Sequence, residues 1–271
     1  MTISQCLFFT YDGINSQDYG IINCTIDQGL YTEPFISSRS IIETAIRGRD
    51  KKYFQRTVPE HLQFSLTFAF QDNFDRDKLR EVSRWLNQPF FVPLIFYDSP
   101  TMSGEETVYY ALYVDSPNIV HTGYGTGYIT INFHTSAPHG YSPVYKTPST
   151  TIYEYFLSPW QPMPMPTNVE FENAGDISIK PIFIIRTFIP RFTIINLNNS
   201  GQKLKFDDLS PNEVLTIDAE NEIITSSVSG VYRYNNMSQD STFISMVVGV
   251  NTIQMVGNFE FQIKYEMKYL V

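Results

Sequence analysis

The chain runs to 271 residues, 42% hydrophobic and 17% charged, a composition that excludes a disordered or fibrous protein and suffices for two domains. Its formal net charge of −9 repels phosphate, which argues against tight binding of duplex nucleic acid or of an anionic membrane surface. The 21 Phe and 18 Tyr lean towards strands, because large flat side chains suit a pleated, half-buried surface.

In chain order, Gln5–Tyr11 reads as a short strand. Met1 to Phe9 lacks the basic start and small-residue cleavage site of a signal peptide, so the chain reads as made in a reducing cytoplasm. Cys6 and Cys24 form no C-x-x-C pair and cannot make a disulfide scaffold. The sequons at Asn23, Asn198 and Asn236 then read as chance matches. The segment from Arg39 to Arg56 holds the run Arg47-Gly48-Arg49-Asp50-Lys51-Lys52. Such runs are ordinarily solvated hairpin faces. The sharper reading makes Arg39, Arg47, Arg49, Lys51, Lys52 and Arg56 a patch that meets acidic groups on a neighbouring subunit.

His61 to Phe68 alternates strictly, with Leu62, Phe64, Leu66 and Phe68 on one face. Asp75 to Leu86 predicts a helix with Leu79, Val82 and Leu86 on one stripe and Trp85 flanking it. Asp75 or Asp72 would cap it, and Asn87-Gln88-Pro89 would end it. Strands follow at Tyr109–Val114 and Tyr128–Phe133. The intervening Gly123-Tyr124-Gly125-Thr126-Gly127 reads as a flexible hairpin tip. A phosphate cradle would need a helix N-terminus behind it, and here a strand follows.

Between His139 and Pro166 the chain carries Pro143, Pro148, Pro159, Pro162, Pro164 and Pro166, which favour extended, semi-rigid backbone. The expectation is an N-terminal α+β domain over 1–141, a Pro-rich linker over 142–167 and a C-terminal β-sandwich over 168–271. Within the last, strands are predicted at Phe192–Leu197, Val214–Asp218 and Ile223–Thr225, with Asn221 in a hairpin turn. A long terminal strand runs from Phe259 to Tyr269. The greasiest stretch, Pro181 to Ile195, is broken by Arg186, Pro190 and Arg191 and does not read as a membrane span.

Little of this carries chemistry. His134 and His139 are separated by Pro138 and lack a neighbouring Cys or carboxylate, which argues against zinc. No nucleophile elbow, H-E-x-x-H helix or P-loop occurs, so no catalytic residue, metal or cofactor is assigned. Exposed aromatics on a β-sandwich can stack on sugars, which makes Trp160, Tyr232 and Tyr234 a weak candidate platform. The simpler reading of Trp160, in Ser158-Pro159-Trp160-Gln161-Pro162, is an anchor for the linker.

Taken together, the ordered features resemble a known family. Tyr11-Asp12-Gly13-Ile14-Asn15-Ser16-Gln17-Asp18-Tyr19-Gly20 is similar to the opening signature of phage distal tail proteins. The Arg39–Arg56 hairpin, the Leu62–Phe70 strand, the helix ending in Arg84-Trp85-Leu86 and Ala137-Pro138-His139-Gly140-Tyr141 follow in the family's order. Phe171-Glu172-Asn173-Ala174-Gly175, Leu215-Thr216-Ile217-Asp218 and Gly249-Val250-Asn251-Thr252-Ile253 resemble its second half. The resemblance implies a mainly β protein, with a tail-tube-like N-terminal β-sandwich carrying one helix and a galectin-like C-terminal β-sandwich.

It also implies a non-enzymatic structural hub at the virion tail tip of a long, non-contractile tail. The hub would be a hexameric ring joining the tail tube to the adsorption apparatus and leaving a channel for DNA. Implied partners are other copies of itself, the tail tube protein, the tail-tip or tail-associated protein and the tape measure protein. DNA would pass without specific binding, and no membrane is involved. Assembly would take place in the host cytoplasm. The alternatives are a carbohydrate-binding adsorption protein recognising the host surface and, more weakly, a tail-tip hydrolase.

Overall fold

The computed structural model describes residues 6–25, 34–97, 107–153, 155–158 and 161–270. The chain is mostly β and divides into two compact units, Met1–Ser142 with Tyr269–Val271, and Pro143–Lys268.

Unit 1 contains β1 (Phe8–Tyr11), β2 (Ile14–Asn15), β3 (Ile21–Asn23), β4 (Arg39–Thr44), β5 (Tyr53–Pro59), β6 (Gln63–Phe70), α1 (Arg76–Leu86), β7 (Val92–Tyr97), β8 (Val108–Tyr113), β9 (Ile119–His121), β10 (Gly127–Thr135) and β11 (Gly140–Tyr141). Its main sheet runs β2-β1-β7-β8-β10-β6-β3, while β4 and β5 pair only with each other. The alternation read in the sequence sets the sheet's inner face. Phe64, Leu66, Phe68 and Phe70 of β6 and Ile131 and Phe133 of β10 are buried in one core.

Helix α1 closes that core with Val82, Trp85 and Leu86. Asp75 caps it, its side chain accepting from the Lys78 amide at 2.8 Å. Trp85, expected at the edge of the stripe, is central instead. It stacks on Phe9 and Tyr19, with ring centroids 5.7 and 4.9 Å apart, and its indole N–H donates to the Tyr11 carbonyl at 2.8 Å. An indole buries most area when its one polar atom finds an acceptor, and β1 supplies it. Burial, reinforced by the Asp12 and Tyr113 charges, pushes the Tyr11 phenol up to about 12.

The glycine-rich tip between β9 and β10 is tied down, not loose: the Phe74 amide donates to the Gly125 carbonyl at 2.7 Å. Gly125 has φ +81°, and a Cβ there would sit 3.1 Å from the Phe74 carbonyl oxygen, so both backbone shape and space call for glycine.

Unit 2 contains β12 (Tyr145–Lys146), β13 (Thr150–Ile152), β14 (Tyr155–Ser158), β15 (Gln161–Met165), β16 (Thr167–Asn173), β17 (Ile182–Asn196), β18 (Gln202–Phe206), β19 (Val214–Asp218), β20 (Ile223–Ser226) and β21 (Gly249–Tyr265), and the short β22 (Lys268–Tyr269) follows. The stretch expected to be a linker thus carries strands. β12 and β13 add to β21, and β14 and β15 form a separate hairpin. The prolines are compatible with this because they fall between strands or in that two-stranded hairpin, where a missing amide spoils no central ladder.

Two long strands form the backbone of unit 2. β21 pairs with β12, β13 and β16 along one edge and with β17 along the other, and β17 then pairs with β19 and β18. The predicted fragment Phe192–Leu197 is the end of one 15-residue strand that passes through Pro190. The register shifts between Thr187 and Phe192, and Gly257, at φ +137°, faces Phe192 across the ladder. This bulge lets both strands bend, so the apolar stripe on β17 changes phase and hides its continuity. The predicted terminal strand begins earlier than expected, at Gly249, and its ladder stops at Tyr265. Phe183, Ile185, Phe192, Phe206, Leu215, Ile217, Met255 and Phe259 are among the residues buried in the core of unit 2.

The loops of unit 2 are closed by polar groups. Buried Glu213 accepts from Arg233 Nε and Nη2, both at 2.8 Å, from the Ser210 amide at 2.9 Å and from Ser226 Oγ at 2.5 Å. Burial alone pushes this carboxyl up, but the Arg233, Ser226 and Ser210 hydrogen bonds and the Arg233 charge outweigh it and hold Glu213 below its ordinary value.

Candidate assembly surface

The β4–β5 ribbon is the most exposed element of unit 1. Its register runs from Arg39 opposite Pro59 to Thr44 opposite Tyr53, shifted between Ile42 and Glu43. At the tip the Arg49 amide bonds the Ile46 carbonyl at 3.1 Å, and Gly48 takes φ +86°, a left-handed position that glycine fills without strain. The ribbon's residues belong to neither hydrophobic core. A two-stranded hairpin with no third layer is marginal in water.

Its side chains make the isolation conspicuous. Tyr53, Ile41 and Phe54 are 65%, 60% and 57% exposed, and Phe35, Ile36 and Ile46 are also open to solvent. Arg39, Arg47, Arg49, Lys51, Lys52 and Arg56 are all exposed. Lys52 meets Glu43 of the same ribbon at 3.2 Å, a solvent-facing pair worth about 0–1 kcal/mol. Among the described residues the other five cations make no ion pair. Set against Glu43, Asp50 and Glu60, the six cations give residues 34–60 a net +3 in a chain of −9, so the remainder carries −12.

The ribbon's base is well held. Ser38 Oγ donates to Glu60 Oε2 at 3.0 Å, the Glu60 amide donates to the Ser38 carbonyl at 2.8 Å, and His61 Nδ1 lies 2.8 Å from the Thr135 carbonyl oxygen. Beside it lies an open cavity of about 550 Å³, lined by Glu60, His61, Gln63, Phe91, Val114 and His134 among others. Phe91 and Val114 are 43% and 58% exposed there. A second cavity, about 210 Å³ and apolar, lies between α1 and Ile119, Ile129 and Ile131.

The face of β6 and β10 turned away from the core is neutral. Ser65 bonds Asn132, Thr67 Oγ1 and Thr130 Oγ1 lie 2.9 Å apart, and Asn132 bonds Asp115 beyond the strands. Neither strand contains Lys, Arg, Asp or Glu.

In unit 2, Trp160 lies outside the described residues. Tyr232 is exposed, whereas the Tyr234 hydroxyl is occupied, accepting from the Ile224 amide at 3.0 Å and donating to the Glu222 carbonyl at 3.2 Å. Among the described residues no cluster of His, Cys, Asp and Glu is placed to hold a metal, and no helix is long and apolar enough to cross a membrane.

The sequence singled out the cations of 39–56, and the structure puts them on one exposed ribbon. It did not reveal the exposed Ile41, Ile46, Tyr53 and Phe54 among them, or the Phe91 and Val114 patch. The one available signal was that the apolar residues of 39–59 follow no single face.

Comparison with known proteins bears on the two halves of the chain and on the fold. Residues 4–137 match the family of phage tail protein N-terminal domains, and residues 174–269 match the siphovirus-type tail component C-terminal domain. The SPbeta prophage-derived protein YomH of Bacillus subtilis (strain 168) is 27% identical over 270 residues, covering 99% of this chain and 100% of the relative. The fold is similar to SPP1 Dit, described as a paradigm of the hub adsorption apparatus in Gram-positive infecting phages. The TM-score is 0.65 at 16% identity, covering 96% of this chain and 98% of that one. It is also similar to a chain of the phage P2 baseplate in its activated conformation with Ca, with a TM-score of 0.53 at 8% identity and coverage of 96% and 97%.

Proposed function

The chain belongs to the siphovirus distal tail protein family, and from that premise we propose that it is a structural hub of the phage tail tip. It would close into a hexameric ring that joins the tail tube to the adsorption apparatus. Its work is assembly, not catalysis. The observation that carries this reading is the β4–β5 ribbon, an ordered element whose apolar and cationic side chains lack cover in the monomer. Fully burying each large apolar side chain would contribute about 1.5–3 kcal/mol, which gives the ribbon a strong reason to meet another surface. The net +3 of the ribbon against −12 elsewhere favours a second copy as that surface, since opposite potentials steer the encounter and set its register.

In the ring, Arg39, Arg47, Arg49, Lys51, Lys52 and Arg56 form the inter-subunit contact. The neutral Ser65, Thr67, Thr130 and Asn132 face suits a channel wall, because it offers DNA phosphates no cation to bind. The tail tube protein, the tail-tip protein and the tape measure protein are the further partners. Immunogold labelling of particles of the encoding phage should place the protein at the tail tip. Label on the head, or none on the virion, would overturn the assignment.

A further inference from the structure

Resting on the ribbon reading above, we infer that the ribbon tip of one copy seats in the cavity at the ribbon base of the next copy, against Phe91 and Val114. Three observations carry it. The first is reach. Phe54 and Val58, which lines that cavity, are four residues apart on β5, roughly 13 Å at about 3.3 Å per residue. The tip, with Ile46, Tyr53 and Phe54, therefore cannot fill the cavity at its own base. Each copy carries an uncovered tip and an unfilled socket at opposite ends of one ribbon.

The second is chemistry. The socket combines exposed apolar groups, Phe91 and Val114, with Glu60 on its lining and Asp115 next to Val114, and no Lys or Arg lines it. The tip has the complementary set: its concave side is lined by Ile46, Tyr53 and Phe54 with Arg49, Lys51 and Lys52, and Asp50 is its one acid. The third is the rejection of the other apolar cavity. That one is walled by α1, whose Arg76, Lys78, Arg80 and Arg84 outnumber Asp77 and Glu81. No carboxylate lines it to meet a cationic tip, and its volume of about 210 Å³ is less than half the socket's 550 Å³.

Tip and socket are different surfaces of one chain, so the contact is heterologous. Repeated copy by copy, such a contact closes into a ring or runs on as a filament. A self-complementary contact would stop at a dimer.

Cysteine pairing in the full-length chain tests this. Phe54→Cys with Val114→Cys in one chain should, on oxidation, give a ladder of covalent multimers on a non-reducing gel. Mixing the two single variants should give one covalent dimer, and each single variant alone should stay monomeric on the gel. Self-pairing of Phe54→Cys alone would overturn the inference, since it reports a self-complementary contact. Multimers that cross-link Phe54→Cys to Ile119→Cys, or that form without any Phe54–Val114 bond, would refute the socket and leave the ring reading standing. A chain that shows no cross-link and stays a 31.3 kDa monomer would remove both.

Discussion

Arg233 of unit 2 and the ribbon-tip arginines of unit 1 are used in opposite ways. In unit 2, Arg233 donates to both oxygens of buried Glu213 and to Ser210 Oγ and Asn236 Oδ1, so its capacity is spent closing the unit's own loops. In unit 1, Arg47 and Arg49 project from a ribbon tip beside exposed Ile46, Tyr53 and Phe54 and make no ion pair among the described residues. A planar guanidinium pinned by a carboxylate stabilises a fold, whereas the same group on an uncovered apolar element is equipped for a partner. Composition alone does not separate the two. What separates them is whether the monomer already satisfies the group.

That contrast can be broken from either side. The largest effect is expected from Ile46→Asp with Phe54→Asp, which places charge where apolar burial is required. Assembly should be lost, while monomer stability moves by no more than about 0.5 kcal/mol, as for exposed positions generally. Light scattering and thermal unfolding read the two effects separately.

Next, Arg233→Ala should destabilise unit 2 by about 3–5 kcal/mol, because it strands a buried carboxylate, and it should leave self-association intact. Denaturant unfolding checks it. The same pair makes stability pH-dependent. Glu213 is held below its ordinary value when folded, so its contribution is complete above the ordinary Glu pKa of about 4.3 and fades as pH falls through the depressed folded value. Unfolding free energies between pH 3 and 6, on the order of that pKa, should show this slope in the native chain and a shallower one in Arg233→Ala.

Arg47→Glu with Arg49→Glu should weaken assembly less than the apolar pair does and reduce its salt dependence, since exposed charges act mainly through steering. Unchanged assembly would remove these arginines from the interface. The smallest effect belongs to Asp75→Ala, which removes the α1 cap and should cost about 1 kcal/mol of unit 1 stability by denaturant unfolding.

Much of the fold was legible because local and global signals agree. β6 alternates with one wet face, and α1 has both its stripe and its cap. Trp85 was misplaced because its centrality depends on Phe9, Tyr19 and the Tyr11 carbonyl, all distant in sequence. β17 was read as a fragment because its bulge around Pro190 shifts the alternation. The 142–167 stretch was read as a linker because proline tolerated at a strand edge looks the same as proline in a coil. For the proposed assembly surface, the charges of 39–56 stand out in the sequence. Exposure of Ile46 and Phe54 is a tertiary property, hinted at locally only because the apolar residues of 39–59 follow no single face.

The most direct test is the solution mass of the full-length protein across a concentration series, measured beside the Ile46→Asp, Phe54→Asp variant. The account predicts that the native chain approaches six times 31.3 kDa and that the variant stays at the single-chain mass with its fold intact. A native chain that remains monomeric throughout, or a variant that assembles as well as the native chain, would contradict it.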